Sequence, residues 1–455
     1  MRRKFHRWFA WLSLFLAFTT FGDTDTLVWH NGAERVDADI STWDVRQVLE
    51  HVAAATGWHV YLDPKAIHPV SVKFTDYPAG QALHSMLGNL NFALVPQTNG
   101  PNLLYVFRTS QAQATTLIAP ARKRANPIPN QVVVTLKPGA KTKIEDLAKS
   151  LNAKIIGRMD AQNTFLLQFQ DDAATQLARQ ELAANPDVAA IDNNYPIDPP
   201  PVMTAADSAT PDLQLKPQTN NNCALVVGLI DMPVQSLGSN LNSFILPEIQ
   251  VAGDPNVSPT QPTHGTAMAE TILDSLQNTT GGNTSVKIQP VDVYGNSEST
   301  TTFNVAAGIV QAVNSGANII NLSLGGTGDS QLLHNTIIQV TQRGIPVYAA
   351  AGNDPVTTPT YPAAYPEVVS VTATGSNGQL APYANRGSFI DMTQPGDNVV
   401  GFNGQNYMVE GTSTSTAFAS GEAAGLADAN HACADQAESL LQKSLPASDI
   451  LKASQ

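Results

Sequence analysis

The sequence predicts an α/β protein whose main body is a parallel sheet with helices on both faces, preceded by two small α+β domains. Three observations lead there. From residue 224 onward, short apolar runs alternate with helix-periodic stretches. The order β-α-β-β-α-β is written twice before residue 200. A composition of 42% hydrophobic and 14% charged residues over 455 positions is a globular balance with room for a sizeable core.

The net charge of −13 is unevenly placed: from residue 201 onward there are six Lys/Arg and twenty Asp/Glu, a charge of −14, which leaves +1 for everything before. An acidic surface of this kind argues against nucleic acid as a partner. Arg2, Arg3, Lys4 and Arg7 precede an apolar run over residues 8–18, with small or polar residues to Gly22. Residues 1–22 therefore read as a secretory signal, since the run is short of the ~20 residues that span a bilayer and no second run of that length follows. The expectation is an exported protein, periplasmic or extracellular, with an uncleaved anchor as the alternative; no Cys is placed for lipid attachment.

Residues 23–110 alternate in period. Val36, Ala38 and Ile40 step by two, and Ser41 with Asp44 reads as a capping box before a helix bearing Val45, Val48, Leu49 and Val52. Strands at 58–62 and 70–74, a helix near 81–90 and a strand at 103–107 complete a two-layer unit. Residues 111–129 are rich in Gln, Ala, Thr and Pro, contain Arg122, Lys123 and Arg124, and show no hydrophobic period, so they read as a linker. The basic triplet is open to two readings, a processing site or a solvated charge run.

The second small domain, 130–197, starts with a strand carrying Val132, Val133, Val134 and Leu136. It continues with a helix (Ile144, Leu147, Leu151), strands at 155–157 and 165–169, a helix at 173–184 and a strand at 188–191. Residues 198–215, rich in Pro, Ala and Thr, form an exposed connecting segment. The main domain, 216–455, has apolar strands at 224–230, 288–293, 318–324, 346–351 and 368–372, with helices near 265–276, 303–314 and 332–341 in the gaps. Buried strands separated by helices imply a parallel, doubly covered sheet, and functional groups in such sheets gather beyond the strands' C-terminal ends.

Four residues fall at such places. Asp231 ends L-V-V-G-L-I-D, His264 opens H-G-T-A-M-A, Asn353 ends A-A-A-G-N, and Ser413 lies in G-T-S-T-S-T-A-F-A-S-G. Singly, each has a bland reading: a strand-end cap, a polar helix start, a turn, a small-residue linker. Together they are an orienting acid, a general base, an amide donor and a nucleophile at a helix N-terminus, where backbone N–H groups favour developing negative charge. That inventory is complete for acyl transfer through a tetrahedral oxyanion.

The order Asp, His, Asn, Ser on a parallel α/β sheet resembles the subtilisin-like serine proteases, over nearly all of residues 220–430. The segments I-I-N-L-S-L-G-G at 319–326 and Y-P-A-A-Y-P at 361–366 carry the resemblance further. An α/β-hydrolase would need G-x-S-x-G and a later triad His; Ser413 lacks the second Gly, and only His431 follows. V-V-V-T-L-K-P-G and N-P-D-V-A-A-I-D-N-N-Y-P, at the two ends of 130–197, resemble the inhibitory propeptide of the same family. Residues 23–110, with V-x-x-A-L-like spacing in the second helix, resemble the short N-terminal domain of secretins and TonB-dependent receptors.

The resemblance implies that Ser413 attacks, His264 takes its proton, Asp231 holds the imidazole, and Asn353 with the Ser413 N–H binds the oxyanion. It also implies that Ser323, Leu324 and Gly325 pair with an extended peptide and that Ala350, Ala351 and Gly352 line a specificity pocket. The expected product is a serine endopeptidase made as a zymogen, with peptides or proteins as substrates, its own prodomain as inhibitor and an envelope protein as partner for residues 23–110. No cofactor is required for the chemistry; structural calcium is left open, with no ligands assigned. The rival reading is a catalytically weak or inactive peptide-binding envelope adaptor. Three departures bear on it: Met232 and Pro233 follow the acid where Thr or Ser and then Gly are usual, Ala267 stands where His is frequent, and Ala417 where Pro is common.

Cys223 and Cys433 are the only cysteines, in a chain read as exported to a compartment where disulfides persist. If Asp231 and Ser413 meet at one end of the sheet, eight strand residues back from Asp231 reach about 26 Å. Twenty helical residues forward from Ser413 reach about 30 Å. Both thiols then arrive at similar depth on the opposite face, and a Cys223–Cys433 disulfide is expected.

Overall fold

The computed structural model describes residues 25–30, 35–97, 100–218, 223–238, 240–255, 257–446 and 448–449, so the secretory signal expected over 1–22 lies outside the described residues. The chain divides into two compact units, residues 1–118 and 119–455.

In the first unit the order is β1 (Thr26–His30), β2 (Arg35–Ile40), α1 (Val45–Thr56), β3 (His59–Leu62), β4 (Val72–Pro78), α2 (Ala79–Leu87), β5 (Asn91–Val95), β6 (Leu103–Phe107) and β7 (Thr116–Ile118). They form two sheets, β1-β2-β4 and β5-β6-β3-β7, around a core with Val48, Leu49, Val52, Leu62, Leu83 and Leu104. This is richer than the β-α-β-β-α-β reading. The cap of α1 also differs: the box is made by Asp44 with Gln47, while the Ser41 hydroxyl donates to Asp25. Residues 111–129 are not a free linker. Strand β7 pairs antiparallel with β3 and buries Ile118, a three-residue contribution too short to show a period.

The second unit opens with residues 119–128 laid along its surface. There the Thr327 hydroxyl donates to the Lys123 carbonyl, and the Ile128 N–H donates to the Asn194 carbonyl. The next module follows the expected order: β8 (Gln131–Leu136), α3 (Ile144–Ser150), β9 (Lys154–Met159), β10 (Thr164–Gln168), α4 (Asp172–Ala184) and β11 (Val188–Asp192), in one antiparallel sheet ordered β11-β8-β10-β9. Strand β8 is apolar on both faces for a reason. Val132 and Val134 pack against the module's own helices, while Val133, with Leu166 and Met159, packs against the large domain.

After β12 (Pro196–Ile197), β13 (Thr204–Ala205) and β14 (Lys216–Pro217) comes the sheet of the main body. Its strands are β15 (Val226–Asp231), β16 (Ile249–Gln250), β18 (Lys287–Asp292), β20 (Ile319–Leu322), β21 (Val347–Ala350), β22 (Val369–Thr374) and β23 (Met392–Pro395), ordered β16-β18-β15-β20-β21-β22-β23, with every pairing parallel. The two-residue β17 (Asn283–Thr284) pairs with β14, and β19 (Thr300–Thr301) pairs with β12. Around the sheet stand α5 (His264–Thr280), α6 (Thr302–Asn314), α7 (Gln331–Thr341), α8 (Thr412–Ala429) and α9 (Ala437–Ser444), with a hairpin of β24 (Asp397–Phe402) and β25 (Gln405–Glu410) leading into α8. Edge strands β16 and β23 and the hairpin were not foreseen, because short mixed-polarity strands carry little periodic signal.

Helix α8 runs through the interior, and its small residues are what allow it. A Cβ on Gly421 would meet Ser275 Cβ at 2.8 Å and Ile272 O at 2.9 Å, and one on Gly425 would meet Thr279 Cβ at 2.8 Å, so α5 and α8 cross at a separation larger side chains forbid. At the far end of α8, buried Asp428 accepts from the Thr284 hydroxyl (2.7 Å) and from the Ser285 N–H (2.9 Å) and hydroxyl (2.7 Å). Cys223 and Cys433 are joined by a disulfide, with Cα atoms 5.3 Å apart, closing a separation of 210 residues.

Candidate active site

Parallel strands leave their C-terminal ends on one side, and the singled-out residues gather there. Asp231 is the last residue of β15 and His264 the first of α5; both side chains are buried, at 1% and 2% exposure. The imidazole Nδ1 lies 2.8 Å from one Asp231 carboxylate oxygen and 3.0 Å from the other. This contact fixes Nδ1–H as the donor and leaves Nε2 as the free lone pair. Nε2 is buried and has no hydrogen-bond partner among the described residues. A basic nitrogen kept dry and unpaired is costly for a fold that does not use it.

The Met232-Pro233 departure has a structural answer. The Thr263 hydroxyl donates to the Pro233 carbonyl, and Gln235 Oε1 accepts from the Thr263 N–H (2.7 Å) and the Thr266 hydroxyl (3.1 Å). The loop behind the acid is thus tied to the first turn of α5. Gly265 is required by that tie: a Cβ there would sit 2.0 Å from Met232 O.

Ser413 is the second residue of α8 and is 4% exposed. Its hydroxyl donates to the Ser323 carbonyl at 3.0 Å, and the Ser323 hydroxyl returns a bond to the Ser413 carbonyl at 2.9 Å. The nucleophile candidate is therefore turned toward the segment that leaves β20 and not toward the imidazole. Asn353 follows β21, and its Oδ1 accepts from the Thr412 N–H (2.9 Å) and hydroxyl (3.1 Å), which leaves the NH₂ as the donor end beside Ser413. The Thr412 hydroxyl also accepts from the Gly352 N–H at 3.0 Å.

A cavity of about 390 Å³ is lined by Ser413, Asn353, Thr412, Ser323, Leu324, Gly325, Ala350, Gly352, Asp354 and Thr360, together with Tyr294, Arg122 and residues 198–201. Of the residues that the resemblance assigned to substrate, Ser323, Leu324, Gly325, Ala350 and Gly352 line this cavity. Ala351 is not among the lining residues: it is fully buried, its N–H is bonded to Val371 O and its carbonyl to Asn385 Nδ2, so it supports the wall from behind. Asp231 and His264 do not line the cavity.

Two positioning residues escaped the sequence reading. Thr412 orients Asn353, and buried Asn385 holds the 351–354 turn by donating to the Ala351 carbonyl (2.8 Å) and accepting from the Asp354 N–H (2.9 Å). Neither carried a signal, since a Thr beside a Ser and a lone Asn are ordinary.

The chain's own segment lies in the cleft. Pro196 and Ile197 pair antiparallel with Thr301 and Thr300, and the Asp198 N–H donates to the Gly325 carbonyl at 3.0 Å. Just before it, the Asn194 side chain accepts from the Thr302 hydroxyl (3.1 Å) and the Phe303 N–H (3.0 Å) at the start of α6, and Asp192 accepts from the Leu332 N–H at the start of α7. Both helix N-termini are capped from the β8–β11 module. Among the described residues, no group of three His, Cys, Asp or Glu side chains is placed to hold a metal ion, and no helix is long and apolar enough to cross a membrane.

Comparison with known proteins gives the family. The model of the Subtilase family matches residues 146–447. The chain belongs to the subtilase family. It is 33% identical over 188 residues to Subtilisin Savinase of Lederbergia lenta, covering 39% of this chain and 70% of that protein. It is equally similar to an alkaline protease of Shouchella clausii, where the match spans 39% of this chain and half of the relative's length. Among solved structures, it resembles the epidermin leader peptide processing serine protease of Staphylococcus aureus, in a mutant form, with TM-score 0.53 and 17% identity over 71% of this chain and 96% of that one. It also resembles fervidolysin of Fervidobacterium pennivorans, with TM-score 0.52 and 17% identity over 68% and 56%. These two likenesses speak for the fold. Family membership and the subtilisin relatives together support a proteolytic function as a serine protease.

Proposed function

We propose that the chain is an exported serine endopeptidase made as a zymogen, with Asp231, His264 and Ser413 as its catalytic triad and Asn353 as an oxyanion donor. The observation that carries it is the buried Asp231–His264 pair whose Nε2 has no hydrogen-bond partner among the described residues, on the same C-terminal side of the parallel sheet as a serine at the N-terminus of α8. Rotation about the Ser413 Cα–Cβ bond takes the hydroxyl off the Ser323 carbonyl. Oγ then attacks the substrate carbonyl carbon while its proton passes to His264 Nε2. The imidazolium that forms is stabilised by Asp231, and the oxyanion by the Asn353 NH₂ and the Ser413 N–H. Collapse expels the amine, which takes the proton from Nε2, and a water repeats the sequence on the acyl-enzyme. The pairing of Pro196, Ile197 and Asp198 with Thr300, Thr301 and Gly325 supports a substrate held as an added strand between those two backbones.

The same contacts support residues 130–197 as an intramolecular inhibitor, released by cleavage in the segment that follows. On this reading residues 1–22 direct export to the periplasm or beyond, and residues 23–110 serve an envelope partner. One observation favours the rival, a catalytically silent peptide-binding protein: the Ser413 hydroxyl is bonded to Ser323 and not to His264. Fluorophosphonate labelling of the processed chain separates the two. The protease reading expects Oγ of Ser413 to be labelled, with labelling lost in Ser413→Ala and strongly slowed in His264→Ala; a processed chain that is never labelled overturns it.

A further inference from the structure

We infer that Asp354, Thr358 and Thr327 form a subsite for a basic peptide segment at the mouth of the cleft. In the intact chain it is filled by Arg122 and Lys123, and after their removal by an arginine- or lysine-bearing substrate. The inference rests on the protease reading and names the substrate class of that site.

Residues 119–128 cross the cleft as an extended strap, held by backbone and side chain together. The Arg122 N–H donates to the Thr358 hydroxyl at 3.1 Å, and the Lys123 carbonyl accepts from the Thr327 hydroxyl at 2.9 Å. The Arg122 guanidinium bridges two carboxylates, Asp354 at 2.9 Å and Asp198 at 2.8 Å. Burial opposes its charge, yet these two ion pairs more than offset that and hold it above the ordinary arginine range. Arg122, Asp354, Asn353 and Ser413 line one cavity, so the cation lies beside the reacting groups and not on a remote surface.

Asp354 does not serve as a helix cap. No helix follows it, and its own N–H is taken by Asn385, which fixes the residue in the turn after Asn353. Of the two carboxylates around Arg122, Asp198 opens the connecting segment 198–215 and leaves with the module when cleavage falls beyond it. Processing therefore removes one cation and one anion from the cleft and retains Asp354, beside hydroxyls of Thr358 and Thr327 that have lost their backbone partners. A peptide with a basic side chain restores all three contacts. The Asp354 side chain is 48% exposed, so screening keeps the preference modest, about threefold to fivefold.

Two measurements test this. In the full-length Ser413→Ala chain, hydrogen exchange of residues 119–128 is expected to quicken about threefold to fivefold on Asp354→Asn, and equally at high salt in the parent. Unchanged strap exchange in Asp354→Asn overturns the subsite. In the processed protease, a positional-scanning set of fluorogenic peptides is expected to show a position where Arg and Lys exceed Gln in kcat/KM by the same factor, with the ratio falling to one in Asp354→Asn. Parity between Arg and Gln at every position overturns the substrate assignment while leaving the protease reading intact. Failure of all Ser413-dependent hydrolysis would instead sink the protease reading, and the exchange result would still decide the subsite.

Discussion

The face joining the β8–β11 module to the main body, which the proposed zymogen reading makes the seat of latency, can be probed at one atom. Gly157 sits in β9, and a Cβ built there would lie 2.5 Å and 3.0 Å from two ring carbons of Phe303 and 3.1 Å from Leu166 Cβ. Phe303 is 2% exposed on α6, and Leu166 is a neighbour across the sheet, so neither has free space into which to retreat. The glycine is not in the left-handed region, and Gly157→Ala therefore adds contact without backbone strain. Overpacking of a closed interface costs about 1–3 kcal/mol, equivalent to about a fivefold to 150-fold weakening of the module's hold on the catalytic domain. The assay is the lag before peptidase activity appears in freshly refolded full-length chain, with dissociation of the module after processing as the second readout. Gly157→Ala is expected to shorten the lag and speed dissociation. Phe303→Leu added to it is expected to restore both in part, which general destabilisation of either partner would not do. An unchanged lag with the native fold retained would refute the argument that this face sustains latency.

Three further outcomes are expected. Thr412→Val removes a hydroxyl that serves Asn353 Oδ1 and the Gly352 N–H, and kcat should fall about tenfold with KM nearly constant, against about 10²–10³ for Asn353→Ala; a loss confined to KM would count against the positioning role. Replacing Cys223 and Cys433 by Ser opens a loop of 210 residues and should lower unfolding stability by up to about 5 kcal/mol in the chain-entropy model, read by denaturant titration of the Ser413→Ala chain; equal midpoints would refute it. Burial pushes the Glu270 carboxyl up to about 7 from its ordinary 4.5. Its contribution is fully present below the unfolded value and lost as pH rises through the folded one, so Glu270→Gln should flatten the fall in melting temperature between about pH 5 and about pH 8; identical slopes would dismiss it.

Much of this was legible in the chain because the relevant signals are local. The five longer apolar runs of the main sheet, and the helices opening at His264 and Thr302, are set by uniform burial and by clear periodicity. So is the small-residue course of α8, where packing against α5 excludes anything larger. What was missed is non-local. The orientation of Asn353 depends on a Thr 59 residues away, and the turn that carries it on an Asn whose role appears only in three dimensions. Within the segment 111–129, β7 is only three residues long, and the contacts of Arg122 and Lys123 with Thr358 and Thr327 are made singly, with residues more than two hundred positions later, so neither part shows a period. Ala351 failed for the opposite reason: a strand-end run of three small residues does not say which of them faces the cavity.

The composition of the cleft segment also says where its hold must come from. An extended peptide binds an open strand edge chiefly through its N–H and carbonyl groups, yet residues 199–201 are three successive prolines, none of which has an N–H to give. Upstream, Pro196 lacks one too, and the Asp198 N–H is the donor that remains to face the Gly325 carbonyl. A tail so poor in donors is a weak ligand by itself. Its occupancy is then sustained by what flanks it. Asn194 and Asp192 cap α6 and α7, and Val133, Met159 and Leu166 are buried against the main body. On the far side, Thr204 and Ala205 pair with Met408 and Tyr407. Proline nitrogens are also tertiary amides, so a bond before Pro200 or Pro201 resists the geometry that attack by a serine requires. On the proposed zymogen reading, the segment therefore fills the cleft without being a good substrate for it, and release requires the flanking contacts to loosen first, which makes a single methyl at Gly157, far from the chemistry, the sharper probe of latency.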